Sequence, residues 1–272
     1  QDPSFTDNIF PCLFITIACG AISGFHATQS PLMARCLKSE KMGRPIFYGS
    51  MITEGLVALV WATVAMWFFY DSPTPGYEQL AAAKGFHTSA PMVVTTVCQD
   101  WLGMLGGVLA ILGVVAAPIT SGDTAFRSAR LIVASALKLN QKPKMNRLYV
   151  CLPIFVVSIA LLAWQSSNPD GFNVIWQYFG WSNQTLSVFT LWAITVYLVR
   201  KNKPYVITLL PALFMTGVCS TYLFISKQAF GLQEDLAYYL GILTVVIAMV
   251  WFVVWIRKYG EKAREIGETS MD

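Results

Sequence analysis

Charge is scarce in this chain. Asp, Glu, Lys and Arg make up 12% of its 272 residues, and there are only two histidines. Soluble domains carry about 25% charged residues, so an ordinary solvated surface is excluded. No P-loop, GxSxG, HExxH or dinucleotide fingerprint occurs. The six cysteines, Cys12, Cys19, Cys36, Cys98, Cys151 and Cys219, form no CxxC pair. Most lie inside apolar runs and read as small buried side chains, with neither a disulfide framework nor a metal site indicated. No alternation of apolar and polar residues marks a membrane β-barrel. No cofactor beyond a coupling ion, proton or sodium, is expected.

What is abundant is continuous apolar sequence. The chain is 55% hydrophobic with a mean hydropathy of +0.53. Apolar runs near the length needed to cross a bilayer recur along it, which makes it an all-α polytopic membrane protein of about seven spans. Segment A runs over about 9–37, B over 46–70, C from 91–100 to 117, D over 148–164, E over 174–199, F over 205–225 and G over 236–256. A polar stretch, 71–90, separates B from C and is expected to hold a short surface helix over 77–84 and a solvated His87. Beyond Pro118, segment C is expected to continue as a basic amphipathic helix to about Leu139. Residues 1–272 read as one transmembrane domain, and 257–272 as a charged, fraying cytoplasmic tail.

Basic residues give the direction. All but Lys84 and Lys227 of the 19 Lys and Arg residues fall in the loops after A, C and E and in the tail. Cytoplasmic loops carry that excess, so the N-terminus is placed outside and the C-terminus in the cytoplasm. Trp164, Trp176 and Trp255 fall near the expected interfaces, as aromatic belts do. The first residue is Gln, with no basic n-region and apolar core after it. The chain is therefore expected to begin partway through a longer or processed protein.

Segment A holds the main irregularity. Its apolar run, Ile9 to Ile22, gives roughly 21 Å of helix at about 1.5 Å per residue, short of a hydrocarbon core of about 30 Å. Gly20-Ala-Ile-Ser-Gly-Phe-His-Ala-Thr-Gln-Ser-Pro31 follows. Ser30 is expected to cap a second half-helix with Pro31 in its first turn. Irregular backbone at membrane depth persists only where protein or a cavity surrounds it, and such joints bind substrate or ion in secondary transporters.

Few polar groups lie inside spans. His26 sits in the joint, roughly 16 Å from the cytoplasmic end of A if helical. Glu54 sits roughly 12 Å into B, at similar depth, and a carboxylate with an imidazole there could relay a proton. Glu54 reads equally as a structural acceptor that holds the joint. Thr120, Ser121 and Asp123 follow Pro118, where freed carbonyls, hydroxyls and a carboxylate could hold a small cation. The bland alternative is a satisfied helix kink, with Arg127 or Arg130 paired to Asp123. Ser182-Asn-Gln-Thr185 lies roughly 14 Å into E. Its Asn183 and Gln184 amides suit either interhelical packing or a substrate. Gly103, Gly106, Gly107 and Gly113 in C read as sites of close helix packing.

Residues Phe10 to Arg35, Gly43-Arg-Pro-Ile-Phe-Tyr-Gly-Ser-Met-Ile-Thr-Glu-Gly55 and Ala117-Pro-Ile-Thr-Ser-Gly-Asp-Thr-Ala-Phe-Arg-Ser-Ala-Arg130 closely resemble the carbon starvation protein A (CstA) family. The resemblance implies an inner-membrane secondary transporter for peptides, or for pyruvate in some members. It also implies kinship with LeuT-like transporters built from two inverted five-helix repeats. Seven spans that begin with a broken helix would be the second repeat plus trailing helices. Segment A would be the sixth span, with Thr120 and Ser121 in the eighth. A missing N-terminal half, or a second chain, would supply the other wall of the site.

The expected function is uptake of small peptides or pyruvate by alternating access around the joint, coupled to protons or sodium. N–H groups at the start of the second half-helix would receive a carboxylate. Ser23, Gly24, His26, Thr28, Gln29, Glu54, Asn183 and Gln184 form the expected substrate set, and Thr120, Ser121 and Asp123 the ion set. Rival readings are an intramembrane enzyme using Ser23 or Cys19 with His26, and a non-transporting receptor or sensor subunit. Nucleic acid is not an expected partner.

Overall fold

A computed structural model describes residues 9–17, 23–68, 90–168 and 171–269. The polar stretch at 71–89, with its expected surface helix and His87, lies outside the described residues, as does Cys19. All regular structure among the described residues is helical. In chain order the helices are α1 (Ile9–Thr16), α2 (Phe25–Ala34), α3 (Ser50–Met66), α4 (Ala90–Ala136), α5 (Lys144–Ser167), α6 (Gly171–Arg200), α7 (Val206–Ile225) and α8 (Glu234–Thr269). A 3-10 turn, Glu40–Met42, and a π turn, Arg44–Gly49, lead into α3.

Among the described residues, five helices are long and apolar enough to cross a membrane: Glu40–Met66, Val94–Ala136, Lys144–Ser167, Val206–Ile225 and Glu234–Tyr259. The seven-span reading exceeds this by segments A and E. Segment A is divided into α1 and α2, of 8 and 10 residues. α6 is long enough at 30 residues, but Gln177, Ser182, Asn183, Gln184, Thr185 and Ser187 dilute its apolar character.

The chain forms two compact units, one of residues 1–27 with 177–272 and one of residues 28–176. In the first, α7 and α8 are antiparallel neighbours and α1 packs on α7. Small residues let the α7 and α8 backbones approach. A Cβ on Gly241 would collide with the Thr221 hydroxyl and lie 3.1 Å from its Cβ, and one on Gly217 would lie 3.1 Å from Val245. Thr244 Oγ1 donates to Ser220 Oγ across the same seam at 2.7 Å. The core consists of Cys12, Ile15, Met215, Val218, Cys219 and Tyr222, with Phe10, Phe14 and Trp181 against it. Phe14 meets Phe214 edge to face with centroids 4.9 Å apart. The Tyr238 hydroxyl donates to the Phe10 carbonyl at 2.6 Å, which anchors α1 to α8.

In the second unit, α4 and α5 form a helical hairpin with Phe126 against Phe155 at 4.8 Å. Its turn is tied by Asn146 Nδ2 donating to the Asn140 carbonyl and Arg147 Nε donating to the Gln141 carbonyl. α4 continues past Pro118, as expected, and reaches Ala136. The helix runs through Pro118 and breaks at Gly103, whose φ of 63° and ψ of −166° suit glycine. Proline removes one N–H and leaves the rest of the ladder standing; Gly103 abandons helical geometry altogether. The other glycines of segment C depart from the packing expectation. Gly106 faces Leu102 of the preceding turn, Gly107 faces Gln99 across the Gly103 break, and nothing lies within 4 Å of Gly113. α8 extends to Thr269. Glu, Lys, Ala and Arg are good helix formers and need no packing partner to continue a turn.

Two glycine substitutions test the α7–α8 seam. Gly241→Leu overpacks it and is expected to cost about 1–3 kcal/mol, read as a lower melting temperature in detergent. Gly113→Leu, in open space, is expected to stay within about 0.5 kcal/mol of the parent.

Candidate functional site

The break between α1 and α2 leaves helix-terminal carbonyl and N–H groups without intrahelical partners. In hydrocarbon such groups must be satisfied by the protein itself. Two adjacent side chains of α6 do this. Gln184 Nε2 donates to the Phe14 carbonyl at 2.9 Å, near the end of α1. Asn183 Oδ1 accepts the Phe25 N–H at 2.8 Å, at the start of α2. Asn183 Nδ2 donates to Ser23 Oγ at 3.2 Å, and that oxygen also accepts from Phe25 N–H at 3.3 Å. Gln184 is 1% exposed and Asn183 7%.

This capping requires backbones in contact. A Cβ on Gly24 would fall on the Asn183 carbonyl oxygen, within 2.6 Å of Leu186 Cβ and 2.7 Å of the Ser187 nitrogen. On α6, a Cβ at Gly180 would lie 3.3 Å from the carbonyl oxygen and Cγ2 of Ile15. Gly180, Asn183, Gln184 and Ser187 follow i, i+3, i+4, i+7 spacing and so share one face of α6. That stripe was readable in the sequence. Its registration against the break was not, and Gly180 was missed.

The expected helix start is corrected. α2 begins at Phe25, and Pro31 lies inside it. Ser30 does not cap it, because Ser23 and Asn183 already serve its first turn. His26, Thr28 and Gln29 are therefore helical. His26 is half-buried, with Nδ1 3.2 Å from the Ser23 carbonyl oxygen. A carbonyl only accepts, so Nδ1 carries the proton and Nε2 is left for another group. The ring does not engage the Ser23 hydroxyl, so Ser23 and His26 are not arranged as nucleophile and base.

The remaining predicted residues belong to the second unit. Gln29 is buried, with Nε2 donating to Ser128 Oγ at 3.1 Å. Glu54 is exposed on α3, which has no buried residue. Thr120, Ser121 and Asp123 are exposed on a continuous helix. The Thr120 carbonyl accepts from the Thr124 hydroxyl at 3.0 Å. Asp123 pairs with Arg127 at 3.2 Å, both well exposed. Among the described residues, no three His, Cys, Asp or Glu side chains group closely enough to hold a metal ion. A small cleft of about 50 Å³ opens in the first unit beside Gln177, Trp181, Tyr222 and Ser226, well below the few hundred Å³ of a typical ligand pocket.

The family model for carbon starvation protein CstA matches residues 1–104 and 76–222. This chain belongs to the CstA family. An uncharacterized protein of Haemophilus influenzae is 44% identical over 120 residues, covering 44% of this chain and 83% of that protein. An uncharacterized membrane protein of the same organism is 58% identical over 74 residues, covering 27% and 20%. The peptide transporter CstA of Mycobacterium tuberculosis is 29% identical over 260 residues, covering 74% and 34%. The chain thus spans about a third of that transporter's length. No solved structure matches it. With several helices apolar and long enough to cross a membrane, this CstA-family chain is a multi-pass membrane protein.

Three substitutions test the capping. Asn183→Ala is expected to cost about 0.5–2 kcal/mol through the lost cap, while Asn183→Asp keeps an acceptor for Phe25 and loses less. Gly24→Val should lower the melting temperature more than either, because the obstruction is backbone.

Proposed function

We propose that this chain is part of a secondary active transporter that imports small peptides, or pyruvate, across the bacterial inner membrane. The observation that carries this is the interrupted helix. The helix ends on either side of the interruption are held by side-chain amides of α6, and discontinuous helices of this kind form the midplane binding sites of secondary transporters. The naming of CstA relatives as peptide transporters supports the same reading.

In this proposal the substrate carboxylate takes the place of Asn183 Oδ1 at the start of α2, where N–H groups and the helix dipole favour an anion. Ser23, Gly24, His26 and Thr28 are the proposed substrate contacts, and Gln184 keeps the α1 end fixed. Glu54 carries the coupling proton. Sodium coupling would instead draw on Thr120, Ser121 and Asp123, at the expense of the Asp123–Arg127 pair. The chain has seven spans, counting α1 with α2 as one and α6 as another, with the N-terminus outside and the C-terminus cytoplasmic. It corresponds to the second repeat and trailing helices of a LeuT-like fold, the rest of the protein completes the site, and lipid solvates the exposed apolar faces.

Uptake of labelled dipeptide and pyruvate into proteoliposomes of the full-length protein tests this. Accumulation under an imposed proton or sodium gradient is expected. No accumulation of either under any gradient defeats it. His26→Ala should abolish uptake with insertion intact. Glu54→Gln should retain exchange and lose gradient-driven accumulation.

A further inference from the structure

Gln29 is 9% exposed and its side-chain carbonyl oxygen makes no hydrogen bond among the described residues. Buried amide oxygens are ordinarily paired, and each exception asks for an explanation. The amide orientation is assigned from the neighbouring hydroxyl. Ser128, 5% exposed, donates its single hydroxyl proton to the Thr124 carbonyl at 3.0 Å. Its oxygen can then only accept, so Gln29 must offer it Nε2, and does so at 3.1 Å. The carbonyl end is left as a buried acceptor, held in place from behind by α4.

We propose that Gln29 Oε1 is the subsite that receives the amino-terminal ammonium of a small peptide. An acceptor calls for a donor. A peptide brings an ammonium, whose hydrogen bond to a neutral carbonyl is charge-assisted. Pyruvate at neutral pH brings only acceptors and gains nothing there. α2 has no carboxylate from Phe25 to Ala34, so a neutral carbonyl is what this helix offers a cation. The subsite rests on the transport reading above and selects the peptide over the keto acid within it.

The test uses the full-length protein in sodium-free buffer with two probes, Ala-Ala and propionyl-alanine, which is the same molecule without its amino group. The parent is expected to prefer Ala-Ala at least tenfold in competition for uptake. Gln29→Met should reduce that preference below threefold by weakening Ala-Ala alone, and Gln29→Glu, which keeps an acceptor, should preserve or enlarge it. Equal weakening of both probes by Gln29→Met marks a packing role or a fixed water only and overturns the subsite. So does a lost preference in Gln29→Glu, which decides the matter if Gln29→Met fails to fold. Protection of the detergent-solubilised protein against thermal unfolding separates the two claims. If Ala-Ala protects in the same Gln29-dependent way while liposomes accumulate nothing, the transport reading falls and the subsite stands. If neither probe protects the parent and neither is taken up, the subsite falls.

Discussion

A helix interrupted inside hydrocarbon must find hydrogen-bond partners in the protein, because the bilayer has none to offer. The first unit is arranged around that requirement. Asn183 and Gln184, neighbours in sequence on α6, reach opposite ends of the break, one to the Phe25 N–H and the other to the Phe14 carbonyl. Side chains this short reach backbone only when two helices nearly touch, and Gly24 and Gly180 allow that approach. The same demand explains why α6 is the polar helix of the bundle. Its apolar character is diluted along the face that serves the break.

The remaining helices of that unit hold the short α1 in place. Eight residues have little helical stability of their own. Cys12 and Ile15 enter the core with Met215, Val218, Cys219 and Tyr222, and the Tyr238 hydroxyl holds the Phe10 carbonyl. α1 is therefore fixed by tertiary contacts at both ends, from α8 at Phe10 and from α6 at Phe14. The two caps also differ in kind. Gln184 is almost wholly buried and holds a carbonyl. Asn183 holds an N–H at a helix start, a place where an anion could compete with it. Within the proposed transport cycle, this makes the α1 end the fixed side and the α2 end the exchangeable one.

Much of the architecture was legible in the sequence because its signals are local. Length and apolar content marked the crossing helices, and a run too short to span marked the break in segment A. The continuation of segment C past Pro118 was legible because a proline forfeits one bond of a long ladder, whereas the break at Gly103, whose φ few other residues tolerate, was missed. The start of α2 was misplaced. Ser30-Pro31 has the local form of a helix start, but a cap supplied from 160 residues away by Asn183 begins the helix earlier. Local pattern weighs only neighbours in the chain, and here a distant side chain decided.

By itself, the sequence determined that the protein is helical and multi-pass, where its polar residues interrupt the apolar runs, and which family it resembles. These follow from the free energy of moving residues out of water, which is additive along a chain. Tertiary structure alone decided what the interrupting residues do: that Asn183 and Gln184 cap the break, that His26 bonds the Ser23 carbonyl and not its hydroxyl, and that Gln29 is left with a buried acceptor. Hydrogen bonds are directional and short-ranged, so their pairing depends on which backbones come within a few ångströms of each other, and no run of residues specifies that alone.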